Sequence, residues 1–278
     1  MECHTDRFSR VGDVINSVLK AIDIMQTFSA LDPRLTLDQI SGRLGLPKST
    51  THNLLATLLS RGFIEKANDG SYALGRALIA LTQAVCMNVE IRDRAAPLLR
   101  KLADTCRESV YLTVLDGDYC LYIYAIESPR RLLARTAVGD RVLLHCTSVG
   151  KACLALMSKK EVEDIVARVG LPAFTDATIT DLNALHEELE CIRTQGYALD
   201  IGEHEAGVYC VGTPILDERA QVIGACSISG SDPDIVRGRV KDLSSYVMHT
   251  AQEISRRMGY VPARPSLVVE PVDVLAGR

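Results

Sequence analysis

Tryptophan is absent from this 278-residue sequence, and aromatic residues make up only 5% of it, so its core must be built from aliphatic side chains. No stretch reaches the 18 or so consecutive apolar residues that a membrane-spanning helix requires. The first residues include acidic groups and lack the apolar segment of a secretory signal. We therefore expect no membrane association and predict a cytoplasmic location. The length favours two domains.

The nine cysteines are scattered, and no two of them form a C-x-x-C pair. Such a set is typical of reduced, mostly buried thiols and not of a disulfide framework or a zinc finger. The sequence also lacks G-x-S-x-G, H-E-x-x-H, phosphate-loop and dinucleotide-binding motifs. We therefore predict no catalytic residue and no cofactor.

Positive charge is not in excess either, because the net charge is −4 and residues 1–75 hold eight basic and eight acidic side chains. The overall charge thus gives no indication of nucleic-acid binding. A DNA-binding function must be argued from a motif and from the local placement of charge.

Residues 10–75 contain such a motif. Apolar residues at three- and four-residue steps predict a helix over 13–29 with one buried face, formed by Val14, Val18, Ile22, Met25 and Phe28. Thr36 is a suitable cap for a second helix, Gly45 permits a tight turn, and Pro47 suits the first turn of a third helix that ends near Ser60. Two short strands around Asn68–Ser71 then predict a hairpin.

Three helices followed by a hairpin are typical of a winged helix-turn-helix, in which the third helix enters the major groove. Short polar and basic side chains near its N-terminus can reach bases and phosphates. The predicted DNA-contacting residues are Lys48, Ser49, Thr50, Thr51, His52 and Asn53. Thr51 also falls on the inward face, with Leu55 and Leu58.

The rest of the chain is predicted to form a connecting helix and a second domain. A stripe containing Leu74, Leu78, Leu81 and Val85 predicts a connecting, dimerising helix in the segment 76–90, and another helix follows over 93–107. Residues 91–259 alternate between strand and helix patterns, which predicts an antiparallel sheet flanked by helices, and hence an α+β protein. The predicted strands are 110–115, 120–126, 132–137, 141–144, 197–200, 208–215 and 221–229, and the helices are 149–157, 160–169, 181–195 and one opened by Asp232-Pro233. Residues 260–278 have no period and are expected to form a flexible tail.

Several ordered motifs resemble the IclR family of bacterial regulators. In the first domain these are the segment 37–65, with its GLPKSTTH stretch at 45–52, and the YALG stretch at 72–75. In the second they are 145–152 (HCTSVGKA), 195–200 (QGYALD), 203–208 (EHEAGV), 210–215 (CVGTPI) and 225–230 (ACSISG). The resemblance extends over roughly residues 13–258.

The resemblance implies a GAF-like effector domain, a homodimer or dimer of dimers on a palindromic operator, and control of catabolic genes by a small organic acid. It places backbone donors for the effector at Ser148, Val149 and Gly150. Matching polar positions are Asp200, Cys210, Ser227 and Ser229, and the candidate apolar walls are Ala134, Val142, Leu144 and Val208. A carboxylate ligand beside Asp200 would need a proton or a hydroxyl group between the two carboxylates.

One position departs from the family, which commonly has arginine after the histidine of the third helix, where this chain has Asn53. Asparagine removes a charge and favours adenine. The operator sequence is therefore expected to differ from that of relatives.

Three alternatives stay open at this point. Asp200, His204 and Cys210 could form a nucleophilic cluster in an enzyme. Zinc could be held in the pocket by residues with suitable ligand atoms but without tight spacing, namely His145, Cys146, His204 and Cys210. A winged helix can also act as a protein-interaction module without binding DNA.

Overall fold

A computed structural model describes residues 14–29, 32–83, 86–128 and 138–261. Within it the chain divides into two compact units between Cys86 and Met87. The predicted strand at 132–137, the residue Ala134 and positions 262–278 of the predicted tail lie outside the described residues.

The N-terminal unit is a winged helix-turn-helix, as the sequence predicts. Its elements are α1 (Asn16–Gln26), α2 (Leu37–Leu44), α3 (Lys48–Ser60), β1 (Ile64–Lys66), β2 (Tyr72–Leu74) and α4 (Ala77–Gln83). The strands β1 and β2 pair antiparallel, with Ile64 opposite Leu74, and form the wing.

The turn between α2 and α3 is set by local interactions. The Thr36 hydroxyl accepts a hydrogen bond from the backbone N–H of Gln39 at 3.3 Å, and the Gln39 side chain accepts one from the Thr36 N–H at 2.8 Å. This capping box fixes where α2 begins. Gly45 ends α2 in the left-handed conformation with φ = 62°, which glycine adopts without steric cost. Both devices act within one helical turn, so they could be predicted from the sequence.

The buried face of α1 differs from the prediction. The core of this unit contains Ile24 of α1 and Phe28, which lies two residues beyond the end of that helix, together with residues from α2 and α3. Phe28 is therefore on the predicted face, but Val14, Val18 and Ile22 are exposed. Because α1 carries apolar residues on more than one face, periodicity alone could not identify which face packs against α3. The exposed residues leave an apolar surface on this helix.

The C-terminal unit contains a six-stranded antiparallel sheet with the strand order β5-β4-β3-β8-β7-β6. Its helices are α5 (Cys86–Cys106), α6 (Ser148–Leu154), α7 (Lys159–Val169), α8 (Leu182–Gln195) and α9 (Val240–Arg257). Its strands are β3 (Ser109–Asp116), β4 (Tyr119–Ile126), β5 (Arg141–Leu143), β6 (Ala198–Ile201), β7 (Tyr209–Leu216) and β8 (Val222–Gly230). The predicted α+β class is confirmed.

Each face of the sheet is covered by its own set of helices. On one face, Leu99 of α5 and Val247 of α9 pack in the same cluster as Ile228. On the other, Leu154 of α6 and Leu189 of α8 join a cluster with Ala225. Successive residues of a strand point to opposite faces, so odd-numbered positions near the middle of β8 belong to the second face.

Two helix boundaries were predicted wrongly. The helix α5 is continuous from Cys86 to Cys106, where the sequence pattern suggested a break near residues 90–92. The final helix is divided into a short 3-10 helix at Pro233–Val236 and α9, which begins at Val240. At this division the Gly238 N–H donates to the Asp234 side chain at 3.1 Å, so a side-chain oxygen accepts the bond that a helix would make to a carbonyl.

The cysteines mostly behave as the sequence suggested. Of the seven whose side chains are described, all are free thiols and six are buried, and Cys191 is the exposed exception. Among the described residues, no helix is long and apolar enough to cross a membrane.

Candidate functional site

The outer surface of α3 presents polar and basic side chains in its first two turns. Lys48, Ser49, His52 and Asn53 are exposed, and Thr50 is half-buried. No side chain caps the start of this helix, which follows Pro47. The N-terminal N–H groups and the side chains around them therefore form one surface that is suited to phosphates and base edges.

Lys48 is paired with an acidic group of its own unit. Its Nζ lies 2.7 Å from Asp38 Oδ1, and the two side chains are 65% and 69% exposed. An ion pair as exposed as this contributes about 0–1 kcal/mol, so exchanging Asp38 for a DNA phosphate costs little.

Thr51 is not available to DNA, and its assignment as a contact residue is wrong. The residue is fully buried, at 0% exposure, and its hydroxyl donates to the Pro47 carbonyl at 3.2 Å. The helical period places it beside Leu55 on the inward face. The sequence pattern also predicted that Thr51 faces inward, and the structure confirms that prediction.

A small cavity of about 30 Å³ lies in the C-terminal unit, on the face of the sheet that α6 covers. All but one of its lining residues carry a hydroxyl, thiol, imidazole or carboxyl group. The lining residues are Tyr111, Tyr122, Thr147, Ser148, Asp200, His204, Glu205, Val208, Cys210, Ser227 and Ser229.

Strand register brings the polar residues of the sheet together. Asp200 on β6 lies opposite Cys210 on β7, which lies opposite Ser229 on β8. In the next row on the same face, Ser227 lies opposite Tyr111 of β3. Residues that are far apart in the chain thus form two adjacent rows beneath the cavity.

A glycine allows α6 to lie against these rows. A Cβ atom on Gly212 would come within 2.8 Å of the Ser148 carbonyl carbon, closer than any real side chain allows. Thr147 caps the helix, since its hydroxyl accepts a hydrogen bond from the Gly150 N–H at 3.1 Å. Glycine at position 212 therefore lets Ser148 at the start of α6 line the cavity.

Six of the residues that the family resemblance suggested do line this cavity. They are Ser148, Asp200, Val208, Cys210, Ser227 and Ser229. Their proximity makes one common binding site possible, and their contact with an effector stays a prediction.

Four other predicted positions do not line the cavity. Val142, Leu144 and Val149 are buried in the apolar cluster that also contains Tyr111 and Tyr122. Gly150 packs against the Leu144 backbone, where a Cβ would meet the carbonyl oxygen at 2.3 Å. Val142 lies on β5 and Leu144 precedes α6, whereas Val149 and Gly150 lie on α6. All four belong to the packed layer beside the cavity and do not line it.

The sequence prediction missed two tyrosines. The rings of Tyr111 and Tyr122 are 5.5 Å apart and nearly perpendicular, at 78°, and both residues are buried. The pairing of β3 and β4 shifts by one residue between Leu112 and Thr113, which brings Tyr122 opposite Thr113. This bulge leaves no clear signal in the sequence. Thr147, His204 and Glu205 were also missed as lining residues, although all three lie within the quoted motifs.

Asp200 has the most unusual environment among the acidic residues of the cavity. It is only 3% exposed, and its Oδ1 accepts a hydrogen bond from the Glu203 N–H at 2.8 Å. Burial raises its pKa from 3.8 to about 7, and the nearby Glu203 carboxylate acts in the same direction. The Asp200 side chain therefore changes its protonation state near neutral pH.

A buried ionic cluster lies beside Asp200. Lys151 is 1% exposed, and its Nζ donates to Glu203 Oε1 at 2.6 Å and to Glu188 Oε1 at 2.9 Å. Burial alone would lower the pKa of Lys151, but the two carboxylates outweigh it and the pKa is raised. The second oxygen of Glu203 is buried without a hydrogen-bond partner. Lys151 is thus positively charged, and its ammonium group is hydrogen-bonded to two carboxylates.

Cys146 and His204 meet at the edge of the cavity, with 3.7 Å between Cys146 Sγ and His204 Nδ1. Burial raises the pKa of Cys146 to about 12 and lowers the pKa of His204. Both groups are therefore uncharged at neutral pH. Within the described parts of the chain, no three His, Cys, Asp or Glu side chains are arranged to hold a metal ion.

Comparisons with known proteins match both units. The family model for the IclR helix-turn-helix domain matches residues 17–67, and the model described as "Bacterial transcriptional regulator IclR C-terminal" matches residues 83–256. The HTH-type transcriptional regulator XynR of Escherichia coli is 32% identical over 248 residues, which cover 89% of this chain and 98% of XynR.

Solved structures give the same result. The crystal structure of the Thermotoga maritima IclR protein is 31% identical with a TM-score of 0.75, covering 88% of this chain and 99% of that one. An IclR homologue from Microbacterium hydrocarbonoxydans, crystallised in complex with 4-hydroxybenzoate, has a TM-score of 0.79 at 24% identity, with 87% and 98% of the chains covered. At that identity the second structure supports the fold alone.

Proposed function

Because this chain belongs to the IclR family of bacterial transcriptional regulators, with a DNA-binding and an effector-binding domain, we propose that a small organic acid in the cavity of the C-terminal unit controls its binding to DNA. The observation that carries this proposal is the convergence of Ser148, Ser227 and Ser229 on one cavity. Hydroxyl groups in a mostly buried site are suited to binding carboxylate oxygens.

On the DNA side, we propose that α3 is the recognition helix and that Asn53 and His52 contact bases. Asparagine can make two hydrogen bonds to adenine, and each good contact of this kind contributes about 1–3 kcal/mol of discrimination. Lys48, Ser49 and Thr50 would bind phosphates, and Lys66 of the wing is exposed and can add to that contact. Regulation of genes for a catabolic pathway follows from the family and belongs to the same proposal.

We further propose that the protein acts as a homodimer, or a dimer of dimers, on a palindromic operator. The support is the apolar surface that α1 and the two residues before it leave exposed, which includes Val14, Ile15, Val18 and Leu19. Covering such a surface with a second copy removes it from water and presents two recognition helices. The segment 76–90 then links each DNA-binding unit to its effector-binding unit along the chain.

The coupling between the two sites requires two arrangements of the dimer. An effector shifts DNA binding only if its affinity differs between them. A binding role, in preference to catalysis, is what the regulatory relatives support, and a cytoplasmic location is consistent with DNA as the partner.

The test is fluorescence-anisotropy binding to the intergenic DNA beside the gene for this protein, at two salt concentrations and with competitor DNA. Acetate, glycolate, glyoxylate and pyruvate are added in turn as probe acids. We expect tight, salt-sensitive and sequence-selective binding that at least one probe acid changes. No selective binding, with or without the acids, would contradict the DNA-binding proposal.

Two variants separate the sites. Asn53→Ala should lower specific DNA affinity about tenfold and leave acid binding unchanged. Ser227→Ala should weaken acid binding and leave DNA binding unchanged. The matched controls are Thr57→Ala, exposed on the same helix as Asn53, and Ser231→Ala, exposed just beyond β8. If Ser227→Ala behaves like Ser231→Ala, the cavity is not the effector site.

A further inference from the structure

The cavity lacks positive charge where an anionic ligand would need it. Its lining residues include two carboxyl groups, Asp200 and Glu205, but no lysine or arginine. The hydroxyl-bearing side chains and the Cys210 thiol are neutral hydrogen-bonding groups. His204, whose pKa is lowered by burial, adds no charge at neutral pH. A carboxylate ligand entering this site therefore meets a buried acid and no cation.

The nearest buried cation cannot replace the missing charge. Lys151 does not line the cavity, and its Nζ is held by Glu203 and Glu188 at 2.6 Å and 2.9 Å. Moving it towards a ligand would leave Glu203 buried without its ion pair, although Glu203 already has one oxygen without a partner. Burying the Glu203 carboxylate without a cation would be strongly unfavourable.

Burial and the Glu203 carboxylate disfavour the ionised form of Asp200, and together they outweigh the groups that favour it, which are the charge of Lys151 and the backbone N–H groups of Glu203 and His204. The loop after β6 contributes Glu203, His204 and Glu205, while α6 and the segment before it contribute Lys151 and Cys146. The strands β7, β4 and β3 contribute Cys210, Tyr122 and Tyr111, whose side chains are neutral near pH 7. The positive charge of Lys151 is balanced by its own two carboxylates, so ionised Asp200 has no counter-ion in the site.

We propose that Asp200 is the hydrogen-bond donor of the effector site, and that a monocarboxylate binds to it only in its protonated form, so that binding takes up one proton. This inference rests on the proposed effector site and defines its chemistry. The only bonds that change are those to the proton: a buffer acid or water gives it up and is left as the conjugate base, and an Asp200 oxygen takes it up. The proton then lies between the Asp200 carboxyl group and an oxygen of the ligand. A singly charged acid with an accepting oxygen fits this site. A dianion would add a second buried charge without compensation.

The test measures binding of acetate, glycolate, glyoxylate and pyruvate by calorimetry, each at about pH 6 and about pH 8 and in two buffers of different ionisation enthalpy. With the pKa of Asp200 at about 7, affinity should fall about tenfold between these values, with nearly one proton taken up at the higher pH. Asp200→Asn keeps an oxygen for the Glu203 N–H and offers a permanent donor. It should bind the acids without pH dependence and at least as well as the unmodified protein at about pH 8.

Two further variants identify the titrating group. His204→Gln should preserve the tenfold pH dependence, and so should Asp104→Asn, which neutralises an exposed acid on α5. Equal affinity at both pH values without proton uptake would overturn the proposal. Unchanged pH dependence in Asp200→Asn, or its loss only in His204→Gln, would do the same.

Infrared difference spectroscopy of the unliganded protein distinguishes this inference from the function on which it rests. A protonated-carboxyl band should be present at about pH 6, weaken at about pH 8 and be missing from Asp200→Asn. If that band is found but no probe acid binds, the proposed ligand class is wrong and the assignment of the proton to Asp200 stands. If the acids bind but the band is absent, the proposal for Asp200 is wrong and the effector site stands.

Discussion

The buried ionic cluster offers a quantitative test of how the C-terminal unit is stabilised. Replacing Lys151 by methionine keeps most of the side-chain volume but removes two charge-assisted hydrogen bonds, to Glu203 and Glu188. Glu188 is partly exposed and can be hydrated, whereas Glu203 is buried. The dominant cost is therefore the uncompensated Glu203 carboxylate, and breaking a buried pair in this way typically costs about 3–5 kcal/mol.

The measurement is urea unfolding followed by far-ultraviolet circular dichroism, since the chain has no tryptophan to report on it. Glu203 can reduce the cost by taking up a proton, so the loss in Lys151→Met should be larger at about pH 8 than at about pH 5. The double variant Lys151→Met/Glu203→Gln should recover much of the loss, because it no longer buries a charge.

The matched control is Lys159→Met, at an exposed lysine whose Nζ is 4.0 Å from Glu163. We expect it to change the free energy of unfolding by less than about 0.5 kcal/mol. A loss of less than about 1 kcal/mol in Lys151→Met, or no recovery in the double variant, would refute the argument that Glu203 depends on Lys151.

Two further predictions concern Asp200 and the start of α2. Because the pKa of Asp200 rises from 3.8 to about 7 on folding, the native state holds an extra proton between these values. Its contribution to the free energy of unfolding should therefore fall as the pH rises through that window, by on the order of 4 kcal/mol. In urea titrations across this range, Asp200→Asn should gain stability over the unmodified protein as the pH rises, and parallel curves would contradict the assigned pKa. Thr36→Ala removes half of the capping box and should lower the stability of the N-terminal unit by about 1 kcal/mol in thermal unfolding. The control Thr57→Ala, at another exposed threonine, should leave the stability unchanged. Equal effects of the two variants would rule out the cap as the cause.

Proximity along the chain explains which predictions succeeded. The cap at Thr36, the left-handed turn at Gly45 and the start of α3 depend on atoms within about one helical turn, so residue type and spacing were sufficient. The exposed positions of Lys48, His52 and Asn53 follow from the same helical period. Thr51 is polar but buried, because the same period places its side chain inside, beside Leu55.

The residues of the cavity were harder to predict, because they come from separate parts of the chain. Its serines, Asp200 and Cys210 could be identified because they fall in motifs that resemble a known family, but periodicity alone gave no reason to group them. The tyrosine pair was missed because Tyr122 reaches its position through a bulge in the β3–β4 pairing. Val142 and Leu144, predicted as apolar walls, lie in the apolar cluster and do not line the cavity, because residue type does not show which layer of a packed domain a side chain enters.

The sequence by itself determined the order of the elements, the helix-turn-helix with its outward-facing polar residues, and the identity of the main polar residues of the cavity. Only the tertiary structure decided which face of α1 is buried and which residues line the cavity. It also decided that Lys151 is shared by two carboxylates, 37 and 52 residues further along the chain. The physical reason is that caps and turns are local, whereas burial, strand register and the pKa of Asp200 depend on groups brought together by folding.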